Sequence, residues 1–164
     1  MNNPSAVSDE QGEWFEVYNP GAVAINMNGL VIRHQDPMKD PNATTLISAD
    51  VYVSAKGYVV LGLNNDTTTN GGVTVKYVYP KEVNLNNTAD YLALETTSSP
   101  AVIVDATSYD QTSGLDPSGK SRSLNPSFLS AAENDDDLHF CEANTLIVGS
   151  TDYGTPGGPN DPCN

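Results

Sequence analysis

Apolar and polar positions alternate along this chain in short runs, and each run stops at a turn-forming residue. Six runs stand out: "WFEVYN" (14–19), "LVIRHQ" (30–35), "GYVVLGL" (57–63), "VTVKYVY" (73–79), "DYLALET" (90–96) and "AVIVDATSY" (101–109). All are rich in β-branched or aromatic residues and bounded by Gly, Pro, Asn, Asp or Ser, which predicts strands. Phe15, Val17 and Asn19 oppose Trp14, Glu16 and Tyr18, and Tyr91, Ala93 and Glu95 oppose Leu92, Leu94 and Thr96, as period-two alternation requires. No window of ten or more residues keeps a helical stripe. The one candidate, "SFLSAAEND" (127–135), is short and stands directly behind Pro126. Turns such as "NPG", "NGL", "NNDTTTNGG", "NLNNT" and "SSP" separate the runs, a rhythm that fits an all-β sandwich or barrel and does not choose between them.

Size and charge narrow the picture. A chain of 164 residues is the length of one domain with one core, so residues 1–164 are read as a single unit. Its last part, 142–164, is rich in Gly, Pro and Asn and reads as an extended C-terminal tail. Against 21 acidic residues stand 7 Lys and Arg, a formal net charge of -14. A field of that sign repels phosphate backbones and anionic lipid, and Lys76, Lys81, Lys120 and Arg122 form no basic patch to offset it. Nucleic acid is therefore not expected as a partner, and no run of apolar residues is long enough to predict a membrane span.

One stretch argues for a phosphate ligand and has to be weighed. "GLDPSGKS" (114–121) fits G-x-x-x-x-G-K-[ST], in which backbone amides cradle phosphates, Lys reaches the terminal phosphates and the hydroxyl binds magnesium. Such a loop needs a helix starting at its Lys-Ser. Here the following residues are "RSLNPSF", and Asn125 before Pro126 disfavours the α conformation. Pro117 stiffens the middle of the cradle, and the net charge opposes an anion. The segment "DPSG" (116–119) is read as a turn between strands.

Other chemistry is sparse. There is no G-x-S-x-G, no H-E-x-x-H and no second cysteine pair for zinc. His34, beside Arg33, and His139, beside Phe140, read as half-buried or surface strand positions, and nothing marks Glu13 or Glu16 as an acid with a raised pKa. No catalytic residue and no cofactor is expected. Calcium is the candidate cation, because "SDEQGEWFE" and "ENDDDLH" gather carboxylates in loops: Asp9, Glu10, Glu13, Asp135, Asp136 and Asp137 are the candidate ligands. Neither segment has EF-hand spacing, and a solvated acidic loop explains both. Cys141 and Cys163 lack C-x-x-C spacing. In a composition rich in Asn, Thr, Gly and Asp they are expected to form a disulfide that staples the tail, which places the chain outside the cell or on its surface. Sequons at Asn42, Asn65 and Asn86 mark surface loops.

Several of these segments, taken in order, resemble a known family. "GEWFEVYNPG", "INMNGLVIRHQD", "SAKGYVVLGLN", "VNLNNTADYLALETTSSPAVIVDATSYD", "GKSRSLNP" and "GTPGGPND" look like a lamin-tail domain of the kind found in secreted and cell-surface bacterial proteins. The resemblance implies an immunoglobulin-like β-sandwich of two antiparallel sheets. It also implies that "GKSRSLN" begins a strand. Trp14, Val17, Leu30, Ile32, Val59, Leu61, Leu92, Leu94, Val102 and Val104 are then the expected core. By function the resemblance implies a non-catalytic module mediating protein–protein contacts, or alternatively an accessory domain of a secreted nuclease- or phosphatase-type hydrolase whose catalytic domain lies on other sequence. "DPMKDPNATTL" and "NNDTTTNGG" depart from the family pattern, and the strand the family places before Met1 is missing. That predicts a longer natural protein and an exposed sheet edge through which two copies pair.

Overall fold

Alternating runs become strands here wherever a second layer covers one face. The computed structural model describes residues 1–35, 43–110, 115 and 118–163. A one-turn helix, α1 (Asp9–Gly12), leads into β1 (Trp14–Tyr18), β2 (Ile25–Asn26), β3 (Leu30–Gln35), β4 (Ala43–Leu46), β5 (Tyr52–Val53), β6 (Tyr58–Gly62), β7 (Tyr77–Val78), β8 (Ala89–Thr96), β9 (Ile103–Asp110), β10 (Arg122–Leu124) and β11 (Phe140–Glu142). The candidate helix at 127–135 is a series of turns and bends. Of "VTVKYVY" only β7 joins a sheet. Val73 is instead held in a loop by Asn70, whose side chain donates to its carbonyl at 2.8 Å and accepts its N–H at 3.0 Å.

Two sheets form an all-β sandwich. One is antiparallel, in the order β4-β3-β8-β9; the other has the order β1-β6-β7, and β2–β5 and β10–β11 are two-stranded ribbons. The expectation of purely antiparallel sheets is corrected at one place, since β7 runs parallel to β6. Ile32 of β3, Leu94 of β8 and Val59 and Leu61 of β6 share one core with Met27, Ile47, Val53, Tyr79 and Val83, while Phe15, Val17, Leu30 and Leu92 pack against it. Burying each such side chain contributes about 1.5–3 kcal/mol. The other face of the β1–β6 pair is also covered: Trp14 and Val60 pack with Met1, Val73 and Ile147. Met1 is hydrogen-bonded to Trp14 in both directions, N–H to carbonyl, at 3.0 Å each.

Two core expectations are wrong. Val102 and Val104 are 58% and 50% exposed. The register explains Val104, because inward-facing Leu92 and Leu94 pair with Thr107 and Asp105, so up to that point the inward parity of β9 is odd, whereas Val102 lies outside β9, beside Thr96. Between Leu94–Asp105 and Glu95–Ile103 a β-bulge then leaves Val104 as the extra residue.

The C-terminal part is tied back onto the body. Ser121 donates to the Tyr153 carbonyl at 2.9 Å, Tyr153 donates to that of Gly119 at 2.8 Å, and Cys141 and Cys163 form the expected disulfide. No helix among the described residues is long and apolar enough to cross a membrane.

Candidate functional site

The phosphate-loop segment is built for a different purpose. After Ser121 the chain enters strand β10, not a helix. Gly119 has φ +82°, and a Cβ there would lie 2.5 Å from Ser5 Oγ and 3.0 Å from Asp152 Oδ1. Glycine is required by close packing on a carboxylate, which is the wrong sign for a phosphate. That carboxylate, buried, accepts from the Ser5 N–H at 3.0 Å, from Ser5 Oγ and from the Ala6 N–H. Lys120 pairs with Glu142 at 2.6 Å. Gly114, Asp116 and Pro117 lie outside the described residues.

The acidic segments are likewise occupied by local structure. Asp9, in the first turn of α1 with Glu10, accepts from Asn87 Nδ2 at 2.9 Å. Asp136 caps a short 3₁₀ turn by accepting from the Leu138 N–H at 2.9 Å, Asp137 pairs with Arg122, and Asp135 acts electrostatically on Asp105. Glu13 is 1% exposed and accepts from the Leu85 N–H at 2.8 Å; burial pushes its carboxyl up to about 8, with nearby Asp9 adding to the rise. Among the described residues, no three His, Cys, Asp or Glu side chains come together as a metal-holding group. The two histidines do not form a joint site: His34 Nε2 meets Asp90 Oδ2 at 2.7 Å in the interior, and His139 Nδ1 meets the Glu133 carbonyl while its ring stacks on Phe128. Asp90 also accepts from the Asn86 and Tyr91 N–H groups, so its carboxylate is held by structure, while His34 Nδ1 is buried with no partner among the described residues.

What the structure does assemble is a cavity of about 390 Å³ between the outer strands β1 and β9. Trp14 to Tyr18 form one wall, Leu92, Leu94, Val104, Asp105, Thr107 and Tyr109 the other, and β10 with Leu129, Ala131, Asn134 and Phe140 closes the side. The lining is mostly apolar. Pro20, Ile25, Val104 and Ala131 are exposed lining residues. A site of this volume with few polar groups is what small-molecule binding uses.

Two carboxylates and one guanidinium line it. Glu16 accepts from the Gly157 N–H, and burial pushes its carboxyl up to about 7. Asp105 is raised by burial while Asn134 Nδ2 donates to both its oxygens, at 3.1 and 3.0 Å. Arg122 stacks on the Phe140 ring at 3.9 Å, and its Nη2 donates to Asp137. Its side chain is 9% exposed, and Nη1 is buried with no acceptor among the described residues. Among the described residues lining the cavity, no hydroxyl or thiol is paired with a base in the manner of an activated nucleophile.

None of these three residues is recognisable from sequence as part of a site. Two faint signals exist: an acid in the middle of the apolar run "AVIVDATSY", and an arginine alternating with small and apolar residues in "SRSL". No protein-family model and no curated protein matches the chain.

Proposed function

We propose that this chain is a non-catalytic binding module, lamin-tail-like and immunoglobulin-like in its sandwich, belonging to an exported or cell-surface protein. The observation that carries the reading is the 390 Å³ apolar cavity lined in part by the outer strand β9. Its ionisable groups are held by structural hydrogen bonds and not arranged around a reacting atom. The disulfide supports an oxidising compartment. The test uses Trp14, the single tryptophan, which lines the cavity. Titration with the neutral apolar dye N-phenyl-1-naphthylamine is expected to quench Trp14 saturably at one dye per chain. Val104→Trp, at an exposed lining residue, is expected to weaken the dye. Absence of saturable binding overturns the reading.

A second reading is favoured by Val102, Ile103 and Val104, three consecutive exposed apolar residues at β9, the outermost strand of its sheet. Through this edge the module contacts a second copy. Sedimentation velocity is expected to show concentration-dependent dimers that Ile103→Lys abolishes; a monomer at all concentrations removes this reading. The accessory-domain alternative stands if the natural polypeptide also carries a hydrolase domain.

A further inference from the structure

We infer that the inter-sheet cavity takes a small amphipathic monocarboxylate, its apolar body between β1 and β9 and its carboxylate on Nη1 of Arg122. The inference rests on the binding-module reading and names the ligand class of that same site.

Three observations lead there. A guanidinium stays charged across the ordinary pH range and presents five donors in a planar fork. Nη2 of Arg122 is satisfied by Asp137, and the ring of Phe140 carries the flat face, yet Nη1 is buried and has no acceptor among the described residues. A buried donor left unmet is costly, and an ionic one more so. The second observation is the sign of the surroundings. Asp137, which neutralises part of the charge, is 53% exposed and therefore screened by solvent. Glu16 and Asp105, the cavity's own carboxylates, are committed to the Gly157 N–H and to Asn134. Among the described residues no group, the lining ones included, accepts from Nη1, which leaves that donor for a ligand. The third is size and polarity. A cavity of about 150 Å³ holds benzene, so 390 Å³ of mostly apolar lining has room for a body about two and a half times larger.

Charge complementarity selects a carboxylate over a neutral or cationic head. The selection is local, because the chain's net charge of -14 acts the other way and favours cations at long range. Nη1 is closed off from solvent in this structure. An incoming oxygen therefore replaces part of the Arg122–Phe140 contact, so both side chains register the ligand.

The experiment compares decanoate, decanol and decyltrimethylammonium, below their micellar concentrations, by calorimetry and Trp14 fluorescence on the intact disulfide-bonded chain. Decanoate is expected to bind at least about tenfold more tightly than either of the others, the scale of one charge-assisted hydrogen bond. Arg122→Gln is expected to erase that preference while leaving decanol within about twofold. In case Arg122→Gln does not fold, the Arg122 guanidinium and Phe140 ring resonances of the wild type are followed by NMR. They are expected to shift saturably with decanoate and not with decanol. If decanoate and decanol bind equally and the Arg122 resonance stays still, the carboxylate assignment fails and the cavity reading survives. If no ligand of the three binds and the neutral dye also fails, both fall together.

Discussion

Strands β3 and β9 flank the same strand, β8, and their burial is the reverse of their composition. β3, "LVIRHQ", carries an arginine and a histidine, yet Ile32 is 0% and His34 3% exposed; β9 begins "IVDATSYD", and Ile103 is 54% exposed. The cause is position. β3 is paired on both sides, by β4 and β8, and its inward face meets β6 across the shared core. β9 is outermost, its inward residues are Asp105, Thr107 and Tyr109, and across from them lies the cavity. Hydrophobicity made both segments strands, but the layer opposite decided which was sealed. The sandwich therefore has a closed side, held by dispersion and apolar burial, and an open side, held by hydrogen bonds, the Arg122–Phe140 stack and the disulfide. The candidate site lies on the open side, where unfilled space and an unsatisfied donor coexist.

The largest expected effect is the most direct test of this contrast. Ile32→Ala should cost about 2–5 kcal/mol, as expected for a fully buried aliphatic chain, and Ile103→Ala about 0.5 kcal/mol or less, as for surface positions. Urea denaturation measures both, and similar losses would show that β9 is covered in solution. Next in size is the staple. Cys141 and Cys163 are 22 residues apart, and replacing both with alanine is expected to cost about 3 kcal/mol by the chain-entropy account. Because the bond joins β11 to the tail, amide exchange should accelerate first in β10 and β11 and leave β3 and β8 protected. A uniform acceleration would mean that the two sides unfold as one unit.

An effect that is smaller per pH unit separates the sides by pH. Glu13 ionises near its ordinary 4.5 in the unfolded chain and at about 8 in the fold. Between those values the folded protein retains a proton that the unfolded chain has released. Its contribution is fully present below pH 4.5 and is lost as pH rises to 8. The slope from this one buried group is about 1.4 kcal/mol per pH unit. Glu16, raised to about 7, acts in the same direction over a narrower window. Glu13→Gln keeps an acceptor for the Leu85 N–H and removes the titration, so melting temperature plotted against pH should flatten from 5 to 8. An unchanged profile would place the proton elsewhere.

These contrasts mark what sequence reading could reach. Alternation located β1, β3, β6, β8 and β9, with β3 bounded at Leu30 and Gln35 as expected, because each is long enough for two full periods and ends at turn residues. β2, β5 and β7 span two residues each, β10 and β11 three, too few for a period to show. They form because neighbours hold them, as Val53 and Tyr52 hold Ile25 and Asn26. The pairing of Cys141 with Cys163 followed from composition alone. The core was legible where a strand lies centrally and misread at Val104, which a bulge takes out of the alternation without leaving any mark in the residues, and at Val102, which lies outside β9. Nothing in the residues around Glu13 and Glu16 signals a raised carboxyl pKa, because the rise comes from burial, which depends on segments distant in sequence, and the Leu85 and Gly157 N–H groups only partly offset it. In the sequence Arg122 reads only as one of a few scattered basic residues that form no patch. Only the fold lays its guanidinium on Phe140 beside a cavity.

The smallest expected effect concerns Lys120, two residues from Arg122 and likewise basic, and it separates structural from functional charge on the open side. Lys120 matches the lysine of a phosphate loop, yet its amine reaches Glu142 at 2.6 Å, with 39% and 35% of the two side chains exposed. Solvent screening leaves such a pair worth about 0–1 kcal/mol. The residue ahead of it, Gly119, packs on Ser5 and the Asp152 carboxylate, a neighbour of the wrong sign for a phosphate. Lys120→Ala should therefore shift stability by about 0.5 kcal/mol or less and leave decanoate affinity unchanged, in contrast to Arg122→Gln, and magnesium–ATP should show no heat of binding to either protein. Nucleotide binding that disappears with Lys120→Ala would reinstate the phosphate-loop reading. Loss of decanoate affinity in the same variant would show that diffuse positive charge, and not the Arg122 fork, draws the carboxylate in.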